Sequence, residues 1–190
     1  FYSCVIMTAL SGGLADIRVL NITAKYGGGM ASRLSPLAIF TTFPLWFLFD
    51  HGLFFKYLET PIKSIAIIAT LCSCVYFASR FKKCDINKNA IIDFVPCLVG
   101  YTIAGIASKI AMIQGSNPMS MTVFYLLTQS LVLAPIIFVY MFVSDNYTIS
   151  FNKIFNKKVL QASVCFALFW IFAMLFRLTA LITIPNPAYL

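Results

Sequence analysis

The chain has 190 residues, of which 61% are hydrophobic and 11% are charged, and its formal net charge is +8. Soluble domains are about 45–50% apolar, so this composition excludes an ordinary soluble domain and predicts an all-α integral membrane protein that crosses the lipid bilayer several times. The basic residues cluster between apolar runs, as in the cytoplasmic loops of membrane proteins, which argues against nucleic acid as a partner.

Six apolar runs along the chain predict six transmembrane helices, since about 20 apolar residues cross the hydrocarbon core. Three consecutive glycines at 27–29 follow the first run, and Asp50 and His51 follow the second. The third run leads into a basic loop at 81–89, and a tight turn at 115–118 separates the fourth run from the fifth. The predicted spans are residues 1–24, 30–49, 62–79, 90–114, 119–143 and 159–184.

Lysine and arginine are distributed unevenly between the loops on the two sides of these spans. One side carries nine of them, and the other side carries two, Lys56 and Lys63. Because the more basic side of a membrane protein faces the cytoplasm, we expect the loop at 81–89 to be cytoplasmic. The nine basic residues are Lys25, Arg33, Arg80, Lys82, Lys83, Lys88, Lys153, Lys157 and Lys158.

Ionisable residues inside the predicted spans are the first candidates for a substrate site. Arg177 lies within the apolar run 159–184, where an ionised side chain costs about 3 kcal/mol or more unless it faces protein or water. Its guanidinium can bind a carboxylate or phosphate through two parallel hydrogen bonds, so Arg177 predicts an anionic group on the substrate. Lys109 is a second candidate, and for both residues snorkelling to the interface is the alternative. Asp16 and Arg18 either contact substrate or form ion pairs across helices.

Three further residues, Tyr101, Gln129 and Trp170, have polar or aromatic side chains that could line a cavity, with ordinary packing as the alternative. Gly100 is expected to allow close approach between helices. We find no sequence signature of a zinc hydrolase, a serine hydrolase or a nucleotide-binding loop, so we expect no enzymatic activity and no metal or cofactor. The one polar cluster that could serve a lipid-modifying enzyme is Asp50, His51 and Glu59.

A short internal repeat relates the first span to the sixth. Arg18 and Arg177 both lie between apolar residues, and a helix breaker follows each of them nine residues later, at Gly27 and Asn186. The sixth span comes five positions after the first in chain order, and because five is odd the two copies would cross the membrane in opposite senses. Inverted repeats of this kind are typical of secondary transporters.

The chain resembles the drug/metabolite transporter superfamily, in particular the EamA-type permeases. Residues 105–122 (GIASKIAMIQGSNPMSMT) look like the helix that opens that family's second repeat, with Lys109 before a turn. Residues 34–44 (LSPLAIFTTFP) look like its fourth helix, and residues 178–188 (LTALITIPNPA) look like the end of its eighth.

The resemblance implies an inverted five-helix repeat transporter, of which this chain covers roughly helices three to eight of ten. Residues 1–80 would hold the last three helices of the first repeat, 81–89 the basic connecting loop, and 90–190 the first three helices of the second repeat and the start of a further helix. We therefore expect a fragment truncated at both ends. The family's usual arrangement places the central loop outside the cell, whereas the charge count places it inside.

These observations together predict a secondary-active permease of the bacterial inner membrane that moves a small polar metabolite by alternating access. Three basic candidates against one acidic candidate favour an anionic or zwitterionic solute, such as an amino acid or an organic acid. Uphill transport would need protons or a counter-substrate, and Asp16 is the candidate for proton coupling. A channel-like facilitator and a membrane-embedded lipid-modifying enzyme are the alternatives, and a homodimer is left open.

Overall fold

The structure is a computed structural model that describes residues 1–29, 34, 36–80, 88–114, 117–143 and 156–187. Within these residues the regular secondary structure is entirely helical, which confirms the all-α class. The seven helices are α1 (Tyr2–Tyr26), α2 (Leu37–Trp46), α3 (His51–Glu59), α4 (Pro61–Arg80), α5 (Lys88–Ile113), α6 (Pro118–Val143) and α7 (Lys157–Thr183).

Four of these helices are long and apolar enough to cross a membrane: α1, α5, α6 and α7. A fifth span is present if α2 and α3 are taken together as one broken crossing. The apolar part of α4 described by the structure, Pro61–Cys74, is shorter than the others. The described helices therefore fit a multi-pass membrane protein with four or five of the six predicted spans.

The helix ends agree with the local sequence signals. Gly27 ends α1 with a φ of 87°, a conformation open to glycine, and its N–H bonds to the carbonyl of Thr23 at 2.9 Å. Asn156 begins α7 by accepting a hydrogen bond from the N–H of Lys158 at 3.1 Å. The basic loop lies outside the described residues from 81 to 87, and so does most of the polar loop before α7, from 144 to 155.

The described part of the predicted second span, residues 30–49, contains the helix α2, which ends at Trp46, shortly before the predicted end of the span. The chain bends by 98° between α2 and α3. Pro44 lacks the N–H that an α-helix needs at that position, and the chain then tightens, with the N–H of Phe47 bonding to the carbonyl of Pro44 at 3.2 Å. Asp50 starts a new helix, because its carboxylate accepts a hydrogen bond from the N–H of Leu53 at 2.9 Å. The polar residues read as the end of a span are thus also the beginning of α3.

Helices α1 and α5 form the most extensive contact in the fold, and α6, α7 and α2 pack around them. Their approach is closest at Gly100, where an added Cβ would lie 2.8 Å from the carbonyl oxygen of Ser11 and 2.9 Å from the Cβ of Ala15. Small residues at such crossings let two backbones pack closely inside a membrane. The expected role of Gly100 in helix approach agrees with this geometry.

The buried apolar side chains form two clusters at opposite ends of the α1–α5 pair. The first cluster is Ala15, Ile22, Leu34, Ala90, Phe94 and Cys97. The second cluster, which we call the α7 cluster, is Val5, Ala111, Met112, Tyr125, Leu178 and Leu181. Helix α7 joins the core through this second cluster, whereas its residues from 157 to 169 are all exposed in the described part of the chain.

Candidate functional site

A cavity of about 570 Å³ lies between α1, α2, α5, α6 and α7. Its size falls in the range of about 300–1,000 Å³ that is usual for small-molecule sites. The residues of α1 and α5 that line it lie in sequence mainly between the two apolar clusters. The polar and aromatic members of the lining are Thr8, Asp16, Thr42, Tyr101, Ser108, Tyr125, Gln129, Trp170 and Arg177.

Five of the seven residues predicted as substrate ligands meet in this lining: Asp16, Tyr101, Gln129, Trp170 and Arg177. They come from four different helices, α1, α5, α6 and α7, which are far apart in sequence. The remaining two candidates, Lys109 and Arg18, are not among the lining residues.

Asp16 is oriented by a neighbouring helix. The hydroxyl of Tyr101 on α5 donates a hydrogen bond of 2.7 Å to Oδ1 of Asp16 on α1. This contact leaves Oδ2, the second carboxylate oxygen, able to accept a hydrogen bond from another donor. Asp16 is the one acidic residue among the lining residues that the structure describes.

Arg177 is the corresponding basic residue of the lining. Within the described part of the chain it forms neither a hydrogen bond with another side chain nor a direct ion pair. It lines the same cavity as Asp16, and the two side chains form no direct ion pair. The five N–H donors of its guanidinium are therefore open to a ligand or to water.

Gln129 on α6 carries a polar atom without a partner. Its Oε1 is buried and accepts no hydrogen bond from any residue that the structure describes. An unsatisfied buried acceptor costs about 1–3 kcal/mol, so such atoms in native proteins usually bind water or a ligand. Gln129 is also one of the residues that line the cavity.

Lys109 is held by the end of α7. Its side chain is 5% exposed, and its Nζ donates hydrogen bonds to the carbonyl oxygens of Leu181 and, at 2.6 Å, Ile184. The last carbonyls of a helix lack partners within the helix and form the negative end of its dipole, so an ammonium group is a favourable cap. The sequence alternatives were snorkelling or a cavity contact, and the structure gives Lys109 this capping position instead.

Three buried hydroxyl groups that sequence reasoning missed lie at one end of the cavity. Ser108 Oγ lies 2.6 Å from the hydroxyl of Tyr125 and 3.5 Å from Oγ1 of Thr8, so the three groups form a hydrogen-bonded chain across α1, α5 and α6. Thr8, Gly12 and Asp16 line the cavity at intervals of four residues along α1, and residues four apart in a helix lie one above the other. A search for polar residues at helical spacing from Asp16 would have found Thr8.

No family model, curated protein or solved structure matches this chain. The resemblance to EamA-type permeases and the pairing of Arg18 with Arg177 therefore stay predictions.

The polar cluster considered for a membrane enzyme has structural contacts. Asp50 caps α3, and Nδ1 of His51 lies 2.8 Å from the carbonyl oxygen of Phe47. Neither residue is among those that line the cavity. In the described part of the chain, no group of three or more His, Cys, Asp and Glu side chains is arranged to hold a metal ion.

Proposed function

We propose that this protein is a secondary-active permease that moves a small polar metabolite, such as an amino acid or an organic anion, by alternating access. The observation that carries the proposal is a cavity among membrane-length helices that is lined by both Asp16 and Arg177. Ionisable residues inside membrane spans usually mark substrate or ion pathways, because an unpaired charge is costly in lipid. Secondary transporters bind their substrates in such cavities between helices.

The packing of the α7 cluster favours a carrier over a channel-like facilitator. Buried side chains such as Val5, Met112 and Tyr125 fill the space at one end of the cavity. The cap of Lys109 on α7 lies in the same region, as does Asn186, whose side chain donates to the carbonyl of Phe43 at 3.2 Å. A pore needs a continuous path, whereas a carrier closes one side while the other is open.

The proposal includes the EamA-type relationship, the inverted repeat and a place in the bacterial inner membrane. Asp16 is proposed as the proton-coupling residue, since it is the acidic member of the described lining. Exchange against a counter-substrate would serve the same purpose. The proposed partners are the bilayer, the solute and a second copy of the chain in a homodimer.

The proposal is tested with the complete protein in proteoliposomes. Uptake of labelled amino acids, organic anions, nucleotide sugars and cationic drugs is measured for wild type, for Arg177→Gln and for the matched control Lys63→Gln. Lys63 is exposed on α4, away from the cavity. We expect saturable uptake that Arg177→Gln abolishes and Lys63→Gln leaves intact. Uptake proportional to concentration without saturation would support the facilitator, and no uptake of any solute would refute the permease.

Coupling is tested separately in the same vesicles. If Asp16 carries the proton, uptake driven by a pH gradient is lost in Asp16→Asn while exchange of labelled for unlabelled solute persists. Gradient-driven uptake that survives in Asp16→Asn would remove Asp16 from the coupling step.

A further inference from the structure

The charge balance of the cavity differs from the balance within the predicted spans. The sequence offers three basic candidates against one acidic candidate, which favours an anionic solute as much as a zwitterionic one. Lys109 instead caps α7 through two backbone carbonyls, and Arg18 is not part of the lining. One base, Arg177, and one acid, Asp16, remain in the described lining. The formal charge that this lining presents to a ligand is therefore balanced.

The hydrogen-bonding groups in the cavity are also complementary to two opposite ligand groups. Gln129 Oε1 is a buried acceptor without a donor, and Asp16 has a carboxylate oxygen beyond the one that Tyr101 contacts. Both oxygens call for an N–H donor, which a cationic amine supplies. Arg177 has donors only, and these call for a carboxylate.

The geometry points to a zwitterionic substrate, with an ammonium group at Gln129 and Asp16 and a carboxylate at Arg177, in the cavity of the permease proposed above. The inference rests on that proposed function and narrows its substrate class. Apolar lining residues, Leu133, Met174 and Leu178, leave room for an apolar side chain on the same molecule. The expected ligand is therefore a small amino acid with an apolar side chain.

A ligand with only one of the two charged groups would leave the site unbalanced. An anion would satisfy Arg177 but place its negative charge in the same cavity as Asp16 and give Gln129 no donor. A cation would satisfy Asp16 and Gln129 but face Arg177. Discrimination of this kind depends on repulsion and on polar groups left unpaired in the wrong complex, as well as on attraction in the right one.

The first test uses only wild-type protein, so it does not depend on any variant folding. Uptake of labelled L-leucine, L-methionine and L-phenylalanine is measured in proteoliposomes, and the best substrate is then challenged with three unlabelled competitors. The competitors are the same amino acid, its N-acetyl derivative, which is an anion, and its methyl ester, which is a cation at mildly acidic pH. We expect the amino acid to compete at least about tenfold better than either derivative, since each derivative loses one charge-assisted contact.

The second test uses variants with matched controls outside the cavity. Gln129→Leu is paired with Gln114→Leu, an exposed residue at the end of α5, and Asp16→Asn is paired with Asp93→Asn. Asp93 forms an ion pair of 3.1 Å with Lys25 away from the cavity. In Gln129→Leu we expect the concentration of unlabelled amino acid needed to inhibit uptake by half to rise at least about tenfold. The concentration needed of the N-acetyl derivative should change little. A merely structural role of Gln129 would weaken both compounds alike.

The outcomes separate the zwitterion inference from the permease itself. Equal competition by the amino acid and either derivative would overturn the zwitterion site while leaving the permease in place. Saturable uptake of succinate or a nucleotide sugar, with no uptake of any of the three amino acids, would do the same. If no solute in either experiment shows saturable uptake, the permease proposal fails, and the inference fails with it.

Discussion

The cap that Lys109 places on α7 gives the most direct prediction about stability. Methionine has nearly the same length as lysine and no charge, so Lys109→Met keeps the packing and removes the two hydrogen bonds to Leu181 and Ile184. Lys109 is 5% exposed, so water has little access to replace its ammonium group. The two carbonyl oxygens would then lose their charged donor at a buried helix end.

The magnitude follows from these two contacts. A hydrogen bond to a charged group contributes about 1.5–3 kcal/mol, and the loss is offset in part because the variant no longer buries an ammonium group. We expect a net loss of about 2–4 kcal/mol in the free energy of unfolding. Lys109→Arg keeps the charge and the donors, so it should lose less stability than Lys109→Met.

Unfolding is measured by titrating SDS into the purified protein in mixed micelles and following tryptophan fluorescence. The chain has two tryptophans, and Trp46 is 3% exposed in the folded state, so its emission reports unfolding. Lys63→Met, at an exposed position on α4, is the matched control and should remain close to wild type. A loss below about 0.5 kcal/mol in Lys109→Met, the usual range for surface changes, would refute the capping interpretation.

Further predictions concern packing, a buried hydrogen bond and topology. Gly100→Ala should lower the free energy of unfolding by about 1–3 kcal/mol in the same SDS titration, because the added Cβ would lie 2.8 Å from a backbone oxygen. Gly105→Ala is the control, since the nearest atom to its added Cβ is 3.7 Å away and the change should be tolerated. Equal losses in the two variants would contradict the packing argument. Tyr125→Phe removes the 2.6 Å contact with Ser108 and should cost about 1 kcal/mol, and a stabilised variant would contradict it. Cys84 in the basic loop, as the single cysteine, should react with an impermeant maleimide in inside-out vesicles and resist it in right-side-out vesicles; the reverse pattern would invert our orientation.

Most of the helices could be predicted from the apolar runs in the sequence and from the glycine and proline residues that interrupt them. Four of the predicted spans correspond to single long helices, since their lengths follow directly from apolar composition. The course of the chain after the second span was harder to predict, because α2 continues through Pro44 to Trp46 and a new helix capped by Asp50 follows at a sharp angle. The amino-acid composition of a membrane span does not distinguish a helix that continues through a proline from one that ends and is followed by a second helix in a new direction.

The sequence predicted which ionisable residues belong to the candidate site better than it predicted what their side chains contact. Asp16 and Arg177 stand out because a charge within an apolar run needs a compensating environment, and both line the cavity. Lys109 has the same sequence signature, but its side chain meets carbonyls at the end of α7, more than 70 residues further along the chain. Whether a buried cation faces a ligand or a helix end is decided by tertiary contacts, which a single sequence does not contain.

Helix α7 packs into the protein core near its C-terminal end, so a change in its tilt would move its residues by different amounts. Its buried residues, Leu178 and Leu181, lie near its C-terminal end, whereas the helix is exposed from 157 to 169 in the described part of the chain. Measured from Leu181 along the helix, Arg177 is about 6 Å away and Trp170 about 16 Å away. A tilt of about 20° about that point would move Arg177 by about 2 Å and Trp170 by about 6 Å. Such a tilt would therefore leave the guanidinium of Arg177 nearly in place while it shifts Trp170, on the wall of the cavity, about three times as far.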